Sequence, residues 1–182
     1  MENIRLFISI SLETGLSRDI YKRFQSLDLP WEKLRPVDPQ ILHLTLKFLG
    51  NTPVEKIPDL INALSSLEKT EAIDIEIKGA SVLDPRRPRI LRLDFADNPK
   101  LQQLYDDIEQ VLFDDGLAHK EVRKFTPHIT LARIKQQAEV GEFKEFSDWK
   151  INRNFSVGTF ELQESILTKK GPEYTVLQSF DI

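Results

Sequence analysis

The link between two β-like runs, residues 73–77 and 89–95, does most to limit the folds open to this chain. Ile73, Ile75 and Ile77 alternate with Asp74, Glu76 and Lys78, the period-two pattern of a half-buried strand. After the turn Asp84-Pro85-Arg86-Arg87-Pro88 comes a second such run. The link has no room for a crossover helix, so the two runs are expected to pair antiparallel. Elsewhere strands and helices interleave. Ile4, Leu6, Ile8 and Ile10 alternate with Arg5, Phe7 and Ser9, and then Leu16, Ile20, Phe24 and Leu27 form the stripe of an amphipathic helix. Thr52-Pro53-Val54-Glu55 has the form of a capping box, opening a helix through Ile57, Leu60, Ile61, Leu64 and Leu67. Asn98-Pro99 starts another helix, carrying Leu101, Leu104, Ile108, Val111 and Leu112 and stopped near Gly116. A further helix is expected within residues 135–146, then strands over 155–168 and 174–180 around the turn Lys169-Lys170-Gly171-Pro172. The expected class is α+β, with antiparallel or mixed sheets.

A chain of 182 residues is long enough to bury a real core as one domain or two small lobes. It has no cysteine, which excludes disulfides, thiolate metal sites and a cysteine nucleophile. No apolar run approaches the roughly 18 residues needed to span a bilayer, and the N-terminus lacks the form of a signal peptide, so a cytoplasmic protein is expected. The net charge of −4 argues against coating long duplexes through phosphate contacts. Local basic clusters remain at Arg86, Arg87 and Arg89, at Lys120, Arg123 and Lys124, and at Lys169 and Lys170. Each taken alone reads as solvated loop charge.

The polar interruptions of two core-like strands carry the chemistry. HLTLKFLG begins at His43, and PHITLAR begins at Pro127. Because i and i+2 share a face of a strand, His43 and Thr45 project together, as do His128 and Thr130. Alternation also places Lys47 with His43 and Thr45, and Phe48 with the core-facing Leu44 and Leu46. With nine threonines in the chain, two His-x-Thr pairs among three histidines arise by accident at about the 1% level. A single such pair would read as a structural histidine bonded to backbone. Two facing units can supply a base on one side and an acid on the other, the requirement of in-line displacement at phosphorus. The threonine hydroxyls would then meet the non-bridging oxygens. No metal is required by this chemistry, and His119, in the Gly116-Leu117-Ala118-His119-Lys120 turn, reads as a loop residue rather than a third ligand. The separation of the motifs, with a strand and helix set around each, suggests two pseudo-equivalent lobes.

These residues resemble the two-histidine phosphoesterases, most closely the bacterial and archaeal RNA 2′,3′-cyclic phosphodiesterases, long labelled 2′-5′ RNA ligases. The likeness covers nearly the whole chain. It runs through Arg5-Leu6-Phe7-Ile8, HLTLKFLG, Pro88-Arg89-Ile90-Leu91, FTPHITLAR, Glu164-Ser165-Ile166-Leu167 and Gly171-Pro172-Glu173-Tyr174. The resemblance implies a single bilobal domain over residues 1–182, with two sheets around a central groove, helices outside and one motif per lobe. It implies a hydrolase acting without cofactor or metal on RNA ending in a 2′,3′-cyclic phosphate, or on small cyclic nucleotides. The expected protein is a monomer that needs no membrane. His128 would be the base and His43 the acid, Thr45 and Thr130 would hold the phosphate, and Arg133 would contact phosphate or base. Strict alternation puts Arg133 on the face opposite His128, so that role requires a bulge. Arg5 and Phe7 are further candidates for the groove wall; Phe7 alternatively packs beneath a helix. Arg92 stands where members of the family often carry an aromatic residue. Two other functions stay open: 2′-5′ ligation by reversal of the same chemistry, and a non-catalytic module that binds RNA ends or nucleotides.

Overall fold

The computed structural model describes residues 2–135, 137–169 and 171–182. Nine strands and four α-helices alternate through it: β1 (Asn3–Ser11), α1 (Thr14–Gln25), β2 (Leu34–Pro36), β3 (His43–Pro53), α2 (Ile57–Ser65), β4 (Ile73–Leu83), β5 (Ile90–Phe95), α3 (Pro99–Asp114), β6 (His128–Ile134), α4 (Lys144–Asp148), β7 (Asn154–Val157), β8 (Thr159–Thr168) and β9 (Gly171–Asp181). The strands pair in the order β7-β4-β5-β6-β3-β1-β8-β9, with β2 added beside β6. Every pair is antiparallel, which the short link between β4 and β5 requires and the longer connections allow.

The two motif strands, β3 and β6, lie side by side at the middle of that order. Only Leu44↔Ile129 registers between them. Beyond that point β3 splays away, and β2 takes its place along β6. The two expected sheets therefore meet edge to edge at one residue pair. Outward from the junction the halves correspond: β3-β1-β8-β9 on one side, β6-β5-β4-β7 on the other. In chain order too, β1-α1 precedes β3-α2 as β5-α3 precedes β6-α4. A single buried cluster runs through both halves, from Leu6, Ile8 and Ile10 to Leu91, Leu93, Ile129 and Leu131.

Several local expectations need correction. The capping box at Thr52 does not form. β3 runs on to Pro53, the Thr52 hydroxyl donates to the Gly50 carbonyl at 3.2 Å, and Pro58 stands in the first turn of α2 instead. Pro53 has extended backbone, as a strand end allows and a helix does not. A capping box does form at Glu139 and Glu142, where it opens a short 3₁₀ turn before α4. The helix expected over 135–146 is thus reduced to these two pieces. The strand expected over 155–168 divides at Gly158: β7 pairs with β4, whereas β8 pairs with β1. Asn98 behaves as expected, its Oδ1 accepting from Leu101 N at 3.1 Å, and Gly116 ends the helix region with φ +65°, a conformation favouring glycine. Lys170, part of the last basic cluster and turn, lies outside the described residues. No described helix is long and apolar enough to cross a membrane.

Candidate active site

The two motif strands repeat one local structure. Each has the burial sequence half-buried, buried, half-buried, buried, buried, exposed, half-buried, for His43 to Leu49 and for His128 to Ile134. The cause is a bulge at the same place in both. Opposite β1, Ile8↔Lys47 is followed by Ser9↔Thr45, leaving Leu46 extra; opposite β5, Leu91↔Ala132 is followed by Arg92↔Thr130, leaving Leu131 extra. Two residues against one reverses the alternation beyond the threonine. Phe48 and Arg133 therefore join the face of the histidines, and Lys47 and Ala132 turn to the core.

This corrects the alternation at Lys47 and Phe48. Lys47 is buried, and its Nζ pairs with Glu109 Oε1 of α3 at 2.5 Å and donates to the His119 carbonyl at 2.9 Å. Phe48 is 68% exposed. The same bulge meets the condition set for Arg133. Nothing in a period-two reading marks a bulge, because the side chains on both sides of it are ordinary strand residues. The sole trace is that each motif continues as leucine, a buried residue, then a large side chain.

On the exposed face the histidines are anchored alike. His43 Nδ1 lies 2.8 Å from the Ile41 carbonyl, and His128 Nδ1 lies 2.8 Å from the Thr126 carbonyl. A carbonyl only accepts, so each Nδ1 carries the proton and each neutral ring presents a bare Nε2. Carried one residue either way, the Leu44↔Ile129 register sets His43 across from Thr130 and Thr45 across from His128. Neither threonine hydroxyl has a hydrogen-bond partner among the described residues. Both imidazoles titrate below the ordinary histidine value, chiefly because burial disfavours the cation; the neighbouring His128 and Arg133 add to that at His43, and Arg92 and Arg133 add to it at His128. Arg133 is thus close enough to act on both rings, and it has no carboxylate partner among the described residues.

The wall beside His43 is aromatic. Phe7, 3% exposed, packs its ring 5.2 Å from His43, 6.4 Å from Phe48 and 4.8 Å from Tyr174, and Tyr174 meets His43 edge-on at 5.2 Å. Phe7 therefore packs directly against the first motif's histidine. Arg5 is exposed on the same strand and acts electrostatically on the Tyr174 phenol, which burial nevertheless holds above its usual value. The motifs alone pointed to neither Tyr174 nor Phe48. Tyr174 comes from β9, near the far edge of the sheet order, and only the fold brings it here. On the other side of His128 a cleft of about 710 Å³ opens, lined by Arg92, Asp94, Thr126, Lys78, Lys124 and Trp149 among others. His119 lies in the loop after α3, where its carbonyl is engaged by Lys47. Among the described residues no three histidine or carboxylate side chains converge as metal ligands.

A family model described as LigT like Phosphoesterase matches residues 10–91, and one described as Coronavirus NS2A protein matches residues 77–175. An RNA 2′,3′-cyclic phosphodiesterase of Aeropyrum pernix is 30% identical over 150 residues, covering 79% of this chain and 84% of the relative. Among solved structures, TT0787 of Thermus thermophilus superposes with a TM-score of 0.81 at 26% identity, over 98% of this chain and 97% of that one. E. coli LigT complexed with 3′-AMP gives 0.79 at 26% identity, over 100% and 99%. Sequence, fold and the paired motifs agree: the chain belongs to the LigT-like phosphoesterases, together with the RNA 2′,3′-cyclic phosphodiesterases.

Proposed function

We propose that this protein hydrolyses the 2′,3′-cyclic phosphate at the end of an RNA to a 2′-phosphomonoester. The observation that supports this reading is the pair of imidazoles on adjacent strands, each bonded through Nδ1 to a backbone carbonyl so that its Nε2 is left free. His128 Nε2 takes a proton from water as the water oxygen bonds to phosphorus. The P–O3′ bond opposite breaks, and His43, protonated at Nε2, gives its proton to the leaving 3′ oxygen. The product keeps the phosphate on the 2′ oxygen and regains a 3′ hydroxyl. Thr45 and Thr130 donate to the non-bridging oxygens, and Arg133 offsets the charge that builds there. Phe48, exposed beside Phe7, gives the terminal base a ring to stack on.

The test is an oligonucleotide bearing a 2′,3′-cyclic phosphate, incubated with the protein in EDTA. The expected product is a 2′-phosphate, with the rate lowered about 10²–10⁴-fold by His43→Ala or His128→Ala. A 3′-phosphate would reverse the leaving group, loss of activity on chelation would refute metal independence, and binding without turnover would make the protein a module for RNA ends. The cleft beside His128 favours one second reading, because it lies on the side from which the nucleophile arrives. A 5′-hydroxyl strand seated there would replace water and give a 2′-5′ linkage. Adding such a strand to the same assay shows whether a joined product competes with hydrolysis.

A further inference from the structure

The two motifs share their anchor and their bulge, and the deeper burial of His43 would by itself make that ring the worse place for a proton. The strands beside them differ. Opposite His43 and Thr45 on β1 stand Ser11 and Ser9. Gln163 Nε2 on β8 lies 3.0 Å from Ser9 Oγ and 3.2 Å from Ser11 Oγ. It also donates to Glu161 Oε2 at 2.7 Å, and that oxygen accepts from Ser11 Oγ at 2.5 Å. Ser9 and Gln163 are buried, and among the described residues Glu161 has no cationic partner within ion-pair distance. A carboxylate is therefore fixed beside His43 with its charge uncancelled. Opposite His128 and Thr130 on β5 stand Asp94 and Arg92. Here the carboxylate is cancelled: Arg92 Nε lies 2.9 Å from Asp94 Oδ1 and 3.2 Å from Ser81 Oγ.

We propose that Glu161, held by Ser11 and Gln163, is a positioning residue that keeps the proton shared by the facing imidazoles on His43, while Arg92, by neutralising Asp94, keeps His128 free of it. This rests on the hydrolytic reading, in which His43 donates and His128 accepts. Two facing imidazolium ions repel, so the pair takes up its protons in two coupled steps, and the singly protonated state is the reactive one. Burial alone would leave that proton on His128, so the charges beside each ring must outweigh it for His43 to be the donor. Around His43 the charged or titratable groups are Glu161, His128, Arg133 and the Tyr174 phenol; around His128 they are Arg92, Asp94, Arg133 and His43. Arg133 opposes a proton on either ring and so does not choose between them. Glu161 favours the cation at His43, and at His128 Arg92 outweighs Asp94 in opposing it. The phenol, held neutral by burial, adds no charge.

The experiment is the pH profile of kcat/KM on the cyclic-phosphate oligonucleotide for the native protein, Glu161→Gln, Glu161→Asp and Arg92→Met. Removing the carboxylate makes His43 lose its proton at lower pH, so Glu161→Gln should move the alkaline limb down by about half a unit or more. Removing the guanidinium leaves Asp94 uncancelled beside His128, so Arg92→Met should move the acid limb up. The profile narrows from one side in each case, and Glu161→Asp restores most of the alkaline limb. NMR titration of the imidazole ring protons without substrate gives a readout independent of turnover, with the His43 titration expected to fall in Glu161→Gln. Limbs and ring titrations unmoved in folded variants would overturn this proposal and leave the hydrolytic reading standing. A profile that widens, with Glu161→Gln extending the acid limb, would put the base at His43 and overturn the assignment of roles itself.

Discussion

An imidazole held in a half-buried groove by one carbonyl is useful as a base and costly as a cation. Both histidines titrate below the ordinary value, with burial the first cause. The unfolded chain, whose histidines titrate near 6.5, therefore binds protons in a pH window where the folded protein does not. Folding stability is complete above that window and falls as the pH drops through it toward the folded values. Urea melts between about pH 8 and pH 5 should show this loss, and the double variant His43→Gln/His128→Gln should flatten it. An acid loss as steep in the double variant as in the native protein would place its source elsewhere, among the carboxylates. The i, i+2 spacing made these two histidines and their threonines legible in the sequence, because strand alternation is a local rule. Phe48, Lys47 and Tyr174 were not legible, since a bulge and a distant strand decide where they point.

A buried ion pair ties the strand of the first motif to the helix that precedes the second. Lys47 on β3 and Glu109 on α3 have side chains 6% and 8% exposed. Lys47 also holds the His119 carbonyl, and Glu109 Oε2 accepts from Glu121 N at 2.9 Å. The pair thus clamps the loop over residues 116–127, which leads directly into β6 and His128. Removing one partner strands a buried charge, so Lys47→Met or Glu109→Leu should each lose about 3–5 kcal/mol in urea unfolding. The double variant Lys47→Met/Glu109→Leu leaves no charge unpaired and should recover much of that stability. It should not recover full kcat/KM, because the loop carrying the approach to His128 has lost its tether. A double variant both stable and fully active would show that the strand alone holds the second motif. The sequence marks α3 clearly, through Asn98, Pro99 and its apolar stripe, yet gives no sign of this clamp. A lysine on a strand reads as an outward residue until the bulge turns it inward.

Curvature brings the two ends of the sheet order together. β7 stands at one end of the sheet order and β8 next to the other, yet only Gly158 separates them in the chain. The sheet must therefore curl until its ends approach, and the Ile182 amide closes on the Gly158 carbonyl at 2.9 Å. Pairing rules made an α+β class with antiparallel or mixed sheets legible in the sequence, whereas the division of residues 155–168 between opposite ends of the sheet has no local signal. A curled sheet with its motifs at the centre is expected to hold a short segment of strand rather than a long one. Net charge agrees with that: at −4 the protein repels a polyanion at large, while Arg133 and Arg5 act as positive charge beside the histidines and Tyr174. A groove that grips the terminal phosphate and one neighbour should release few counterions, at about 0.7 for each phosphate of a single strand. The plot of log kcat/KM against log salt, for substrates from a cyclic mononucleotide to a ten-residue oligonucleotide, should therefore stay shallower than a slope of about −2 and change little with length. A slope that steepens with each added nucleotide would instead show an extended strand running over Lys78, Lys124 and Lys150 along the cleft beside His128.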